Sequence, residues 1–204
     1  VTILKREEEL YIEVDYMDSS DAGIIPHQTA LEKVVSSFAE QGIVVHFDVG
    51  DLYHQAGGIS VQDHDLGGGD QVTFRQYTPY NFNQGVESLF HYKMANFDMR
   101  RKPIFHYMLM ANSRNIDGSA GSSGVAELSG NDLMISMGNW GLSLDNEVSR
   151  NLTFNYQAST IMHELGHNLG LEHGGDESTN YKPNHLSIMN YLYQLRGLPT
   201  IGDN

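Results

Sequence analysis

His163-Glu164-Leu165-Gly166-His167-Asn168-Leu169-Gly170-Leu171-Glu172-His173 is the stretch that decides how this chain is read. Residues four apart share one face of an α-helix, so His163 and His167 can aim two imidazoles at one point. Glu164 is turned by about 100° from His163 around such a helix. Its carboxylate can therefore reach a water at that point without becoming a ligand. His173 lies six residues past His167, too far along a continuing helix to join it. The helix has to stop, and Gly170 stands where the chain must turn, because glycine takes a left-handed cap without steric cost. Three imidazoles with a fourth position left open form the donor set of a catalytic zinc site. His163, His167 and His173 are thus the expected metal ligands, with one Zn2+, and Glu164 is the expected general base.

Outward from this motif, a helix is expected from about Gln157 to Gly170, with Ala158, Met162, Leu165 and Leu169 as its apolar stripe. Residues 9–17 alternate, with Leu10, Ile12, Val14 and Tyr16 on one face and Glu13 and Asp15 on the other, which predicts a half-buried strand. Pro26, then Leu31, Val34, Val35 and Phe38 at helical spacing, and Gly42 as a stop predict a helix, and Ile43–Phe47 a buried strand. Strand, helix and strand in succession make a βαβ unit with a parallel pair. Residues 49–85 read as an irregular excursion, residues 86–99 as a short helix, and Ile104–Ala111 and Leu133–Met137 as further strands. The fold class is α/β (α+β) in a single domain over 1–204, with an upper lobe over about 1–170 and a small irregular lower lobe over about 171–204.

Composition excludes several classes. Twelve Lys+Arg against 26 Asp+Glu give a formal charge of −14, the wrong sign for nucleic acid or an anionic membrane. No apolar run is long enough to span a bilayer. There is no cysteine, so thiolate metal sites, cysteine nucleophiles and disulfides are excluded. A chain that opens at Val1 is expected to be a processed fragment, and a monomer secreted from the cell is the expectation. Asp63-His64-Asp65-Leu66-Gly67-Gly68-Gly69-Asp70 loosely follows a calcium loop, so Ca2+ is a second candidate ion, although Phe74 stands where the closing glutamate would be. The other seven histidines are expected at the surface or as satisfied core residues.

The eleven-residue motif resembles the metzincin clan of zinc peptidases. Ser187-Ile188-Met189-Asn190-Tyr191 begins fourteen residues past His173 and looks like that clan's methionine turn. The resemblance implies that Met189 packs beneath the histidines and that Tyr191 stabilises the tetrahedral intermediate, as in astacin-like and serralysin-like enzymes. It also implies a twisted, mostly parallel sheet with one antiparallel edge strand and two long helices. A protein or peptide substrate would lie extended along that edge, for which Val125, Ala126, Glu127 and Leu128 are the candidate strand. The chain departs from astacin-like enzymes in having no cysteine, and from serralysin-like ones in having Gly174 after the third histidine. A thermolysin-like arrangement needs a later glutamate from a second helix, and after Glu177 the only acidic residue is Asp203.

The expected function is zinc-dependent endopeptidase. The alternatives are a catalytically silent, metal-stabilised binding module and a narrow exopeptidase. A silent descendant has no use for Glu164, and an exopeptidase needs a group that holds a free chain terminus.

Overall fold

A computed structural model of the chain describes residues 8–54, 64–83 and 85–197. It opens with the expected unit: β1 (Glu8–Met17), α1 (Gln28–Ala39) and β2 (Ile43–Asp48). β1 and β2 run parallel, with Ile12 opposite Phe47. β3 (Gln71–Val72), α2 (Leu89–Asn96), β4 (Phe105–Ala111), β5 (Gly124–Ala126), β6 (Asp132–Ser136) and α3 (Glu147–Asn168) follow. The sheet order is β2-β1-β4-β6-β5, and β3 adds to the C-terminal end of β1. Every pairing is parallel except β5 with β6. The molecule is a mixed α/β fold, with a mostly parallel sheet and three helices among the described residues.

Side-chain alternation sends the two faces of the sheet into two cores. Ile12 and Val14 of β1, Met108 and Met110 of β4, and Leu133 and Ile135 of β6 pack under α1 and α3. Those helices contribute Leu31 and Val34, and Ala158, Ile161 and Leu165. On the other face, Met17, Tyr107, Leu109 and Met134 pack with Leu89 and Tyr92 of α2. Burial of this apolar surface is what locks α3, the helix carrying the motif, against the strands. The stripe expected on α3 is corrected at its end: Leu169 lies beyond the helix and is exposed, and Ile161 takes a core place that had not been assigned to it.

Two further expectations are revised. α3 begins ten residues earlier than its apolar spacing suggested, because Asn146 caps it by accepting from the Ser149 amide. β1 is not half-buried: Glu13 and Asp15 are as inaccessible as its apolar residues. A strand inside a parallel sheet is covered on both faces, so its carboxylates have to find partners. Arg101 pairs with both Glu13 and Asp48. Asp48 also accepts from the amides of Leu66 and Gly68, and Asp15 from the Asp70 amide and the Tyr107 hydroxyl. These carboxylates hold the segment leading into β3 over the strand ends. That segment contains the described part of the suggested calcium loop. Asp63 lies outside the described residues, and Asp65 is occupied by His54 and by the amide of Gly67.

Burial pushes the Glu13 carboxyl up to about 7, against the pull of Arg101. An acid whose folded value is raised keeps its proton longer in the folded state than in the unfolded one. Its stabilising contribution is therefore complete below about 4.5 and is lost as pH rises through about 7. Urea midpoints of the wild type and Glu13→Gln, compared from pH 4 to 8, should show the wild type losing ground to the variant across that window. A constant difference would contradict this reading of Glu13.

Candidate metal centre

The motif helix delivers the first two histidines as its period requires. His163 and His167 stand one turn apart on α3, with Nε2 atoms 3.1 Å from each other. α3 then ends: Leu169 is the C-cap and Gly170 turns with φ +92°, which reverses the chain toward His173. The third imidazole joins the pair, its ring centroid 5.3 Å from that of His163 and 4.9 Å from that of His167. The three histidines offer ligand nitrogens all within 4.8 Å of one another. Among the described residues this is the one cluster of histidine and carboxylate groups gathered closely enough to hold a metal ion.

The ring nitrogens facing away from the cluster fix its chemistry. His163 Nδ1 donates to the Ile188 carbonyl at 2.9 Å, and His167 Nδ1 donates to the Leu171 carbonyl at 2.8 Å. A carbonyl can only accept, so each neutral ring carries its proton on Nδ1 and turns an Nε2 lone pair inward. Two lone pairs 3.1 Å apart repel unless a cation stands between them. His173 Nε2 is buried with no hydrogen-bond partner. Burial, with the neighbouring imidazoles, holds His163 down at about 4, which favours its neutral, metal-binding form at neutral pH. Nitrogens of one tetrahedral cation bound at about 2.0–2.1 Å sit about 3.4 Å apart. The residues present therefore fit a metal ion.

The turn after the third ligand closes the floor. Met189 is fully buried, and its Sδ lies so close to Gly166 that a Cβ there would meet it at 2.3 Å. This contact explains the glycine between Leu165 and His167. Asn190, which the sequence reading passed over, is fully buried and holds the turn together. Its amide donates to the carbonyls of Lys182 and His185, and its carbonyl accepts from Leu192. Tyr191 projects from this turn, its ring 4.4 Å from that of His173 and 5.5 Å from that of His163. Tyr181, adopting φ +59°, packs against it at 5.9 Å.

Glu164 is buried beside the histidines, and burial pushes its carboxyl up to about 8, with Arg114 pulling the other way. The sheet edge comes close to it: a Cβ on Gly124 would meet Glu164 Oε1 at 2.6 Å. The expected edge strand Val125–Leu128 is present in part. β5 spans Gly124–Ala126, the Glu127 amide still bonds the Asp132 carbonyl, and Leu128 is exposed beyond it. The turn that follows β5 caps α3, since the amides of Ser129 and Gly130 donate to the carbonyls of His167 and Asn168. Asn168 reinforces this by donating to the carbonyls of Glu127 and Asp132 and pairing with His106. Neither Asn168 nor Asn190 carries a signal in the sequence: Asn168 acts on backbone carbonyls 41 and 36 residues away, and Asn190 on carbonyls of its own irregular loop, which no helix or strand period marks.

Two adjoining cavities open at this centre. One is lined by Arg114, Leu128, His167, Glu172 and His173, the other by Ser123, Tyr181, Gln194, Leu195 and Arg196. Ser122, Gly124, His163, Glu164 and Tyr191 form the wall common to both. Comparison with protein-family models, curated proteins and solved structures finds no match for this chain.

Equilibrium dialysis against divalent cations should give about one ion per chain, and His163→Ala, His167→Ala or His173→Ala should each lower the affinity by at least about 100-fold. Free metal at about a thousand times Kd should add about 4 kcal/mol to the wild type and far less to the three variants. Equal binding by the wild type and all three would remove the centre.

Proposed function

We propose that the chain is a zinc-dependent endopeptidase of metzincin-like architecture that hydrolyses proteins or peptides. The observation carrying this reading is the buried carboxyl of Glu164, which shares its cavity wall with the imidazole of His163 and the hydroxyl-bearing ring of Tyr191. Imidazole donors with no thiolate suit Zn2+, and the site leaves one side of the histidine cluster open to the cavities. When bound, the zinc would supply a Lewis acid that lowers the pKa of water toward about 7.

The chain's own residues divide the remaining work. In its ionised form, which a bound cation beside it would favour, Glu164 takes the proton of the attacking water and delivers it to the leaving amine, which is general base and then general acid catalysis by one carboxyl. Tyr191, whose hydroxyl is kept protonated by burial and by the nearby Glu164 carboxyl, donates to the oxyanion of the tetrahedral intermediate. The Nδ1 bonds keep the imidazoles of His163 and His167 from turning, and Met189 packs against the helix at Gly166 between them. β5 is the last strand of the sheet, and its pairing with β6 uses one side only. Among the described residues no strand pairs with its other side, which can align an extended substrate by strand addition.

The purified chain should cleave denatured casein, and a zinc chelator should abolish cleavage. Glu164→Ala should retain its metal and lose turnover by at least about 100-fold, the scale of general base catalysis. Tyr191→Phe should lower kcat by about 100-fold with less change in KM, as for a lost oxyanion donor. Substantial hydrolysis by metal-loaded Glu164→Ala would sink the role given to that residue.

A further inference from the structure

The two cavities carry two arginines, Arg114 and Arg196, within an acidic chain. The protein carries a formal −14. Five of the lysines and arginines are spent on carboxylates: Arg75 on Glu87, Lys93 on Asp132, Arg100 on Asp98, Arg101 on Glu13 and Asp48, and Lys182 on Glu177. Arg114 is different. It is half-buried, it faces the cavity beside Glu164, and no carboxylate among the described residues pairs with it. A guanidinium has five N–H donors. The contact Arg114 makes is one long bond, 3.3 Å, from Nη1 to the Gly124 carbonyl. That carbonyl also accepts from Ser122 Oγ at 2.8 Å, so it keeps a partner if the guanidinium moves. Arg196 lines the adjoining cavity and likewise has no carboxylate partner among the described residues. Glu164 and Glu172 are the carboxylates that line the two cavities, and neither stands within ion-pair distance of either arginine.

A planar guanidinium with free donors, partly removed from water and fixed at the edge of a strand, is built to receive a carboxylate in two parallel hydrogen bonds. We propose that Arg114, with Arg196 in the adjoining cavity, makes this cleft select substrates by a carboxylate placed on either side of the reacting bond. This deepens the peptidase reading and rests on it for the position of that bond. The carboxylate has two chemical sources in a peptide, an aspartate or glutamate side chain or the free C-terminus. Either binds Arg114 in the same way, and the second would make the cleavage carboxy-terminal trimming. An acidic protein is therefore expected to prefer acidic peptides, because Arg114 and Arg196 present guanidinium donors to the substrate.

The test uses fluorogenic peptides blocked at both ends, with Glu, Gln or Lys at each position flanking the cleaved bond, and matched peptides ending in a free acid or an amide. For the wild type, kcat/KM for Glu over Gln should be about tenfold or more at one position on each side, the scale of a charge-assisted hydrogen bond. Arg114→Gln should bring that ratio to about one on one side, Arg114→Lys should restore part of it, and Arg196→Gln should act on the other side. A preference that follows the free acid instead of the side chain identifies the terminal carboxylate as the ligand. A wild-type ratio near one, or a ratio unchanged in Arg114→Gln, overturns the proposal. An equal loss on all peptides does so as well, since it would mean that Arg114 acts only through Glu164. The same peptides are also titrated by fluorescence anisotropy in the presence of chelator, where no turnover intervenes. If no peptide is cleaved under any condition, the peptidase reading fails. Tighter wild-type binding of Glu than Gln peptides, lost in Arg114→Gln, then still supports the carboxylate site, and equal binding overturns it.

Discussion

The bonds from His163 Nδ1 to the Ile188 carbonyl and from His167 Nδ1 to the Leu171 carbonyl are what the rest of the centre depends on. Each is an ordinary hydrogen bond in strength. Their importance is directional: they settle which nitrogen of each ring carries the proton, and so which one presents a lone pair to the interior. Without them the rings could turn and ease the 3.1 Å approach of the two Nε2 atoms. With them the approach is imposed, and a cation is the natural way to relieve it. The same two bonds tie the helix to the segments that follow it, because Leu171 lies on the ligand loop and Ile188 on the turn under the cluster.

The fold makes this arrangement rigid from the other side. The end of α3 is capped by amides of the turn between β5 and β6, so the helix and the sheet edge share hydrogen bonds. Glu164 is held between them, with Gly124 in contact. A second demand on the sheet comes from its interior carboxylates. Glu13, Asp15 and Asp48 are buried where a parallel sheet usually carries apolar residues, and their partners are Arg101, Tyr107 and backbone amides of the overlying segment. Replacing only one member of such a network leaves a buried charge unpaired, which costs far more than an exposed pair would.

The legibility of the chain tracks the range over which each signal acts. The ligand spacing, the stop at Gly170 and the βαβ opening are local periodicities, and the structure reproduces them. The start of α3 was misjudged because its first turns carry polar residues on an amphipathic helix whose cap, Asn146, lies far from the apolar stripe. β1 was misjudged because alternation was taken to mean one wet face, whereas a polar face can be buried when distant residues satisfy it. Asn168 and Arg114 carry no sequence signal because their roles exist only once remote segments meet, and Asn190 because its bonds within 182–192 follow no helix or strand period. Arg114 could have been flagged as a cation just past a strand end in an acidic chain, but no spacing ties it to Glu164.

The central claim is that three imidazoles, two of them oriented by bonds on their outer nitrogens, are set to hold one zinc with a position left open. X-ray absorption of the chain loaded with one equivalent of zinc tests this most directly. The account predicts a first shell of three imidazole nitrogens at about 2.0–2.1 Å and one oxygen. A shell of six oxygens, or zinc scattered over carboxylates with the imidazole signature missing, would contradict it.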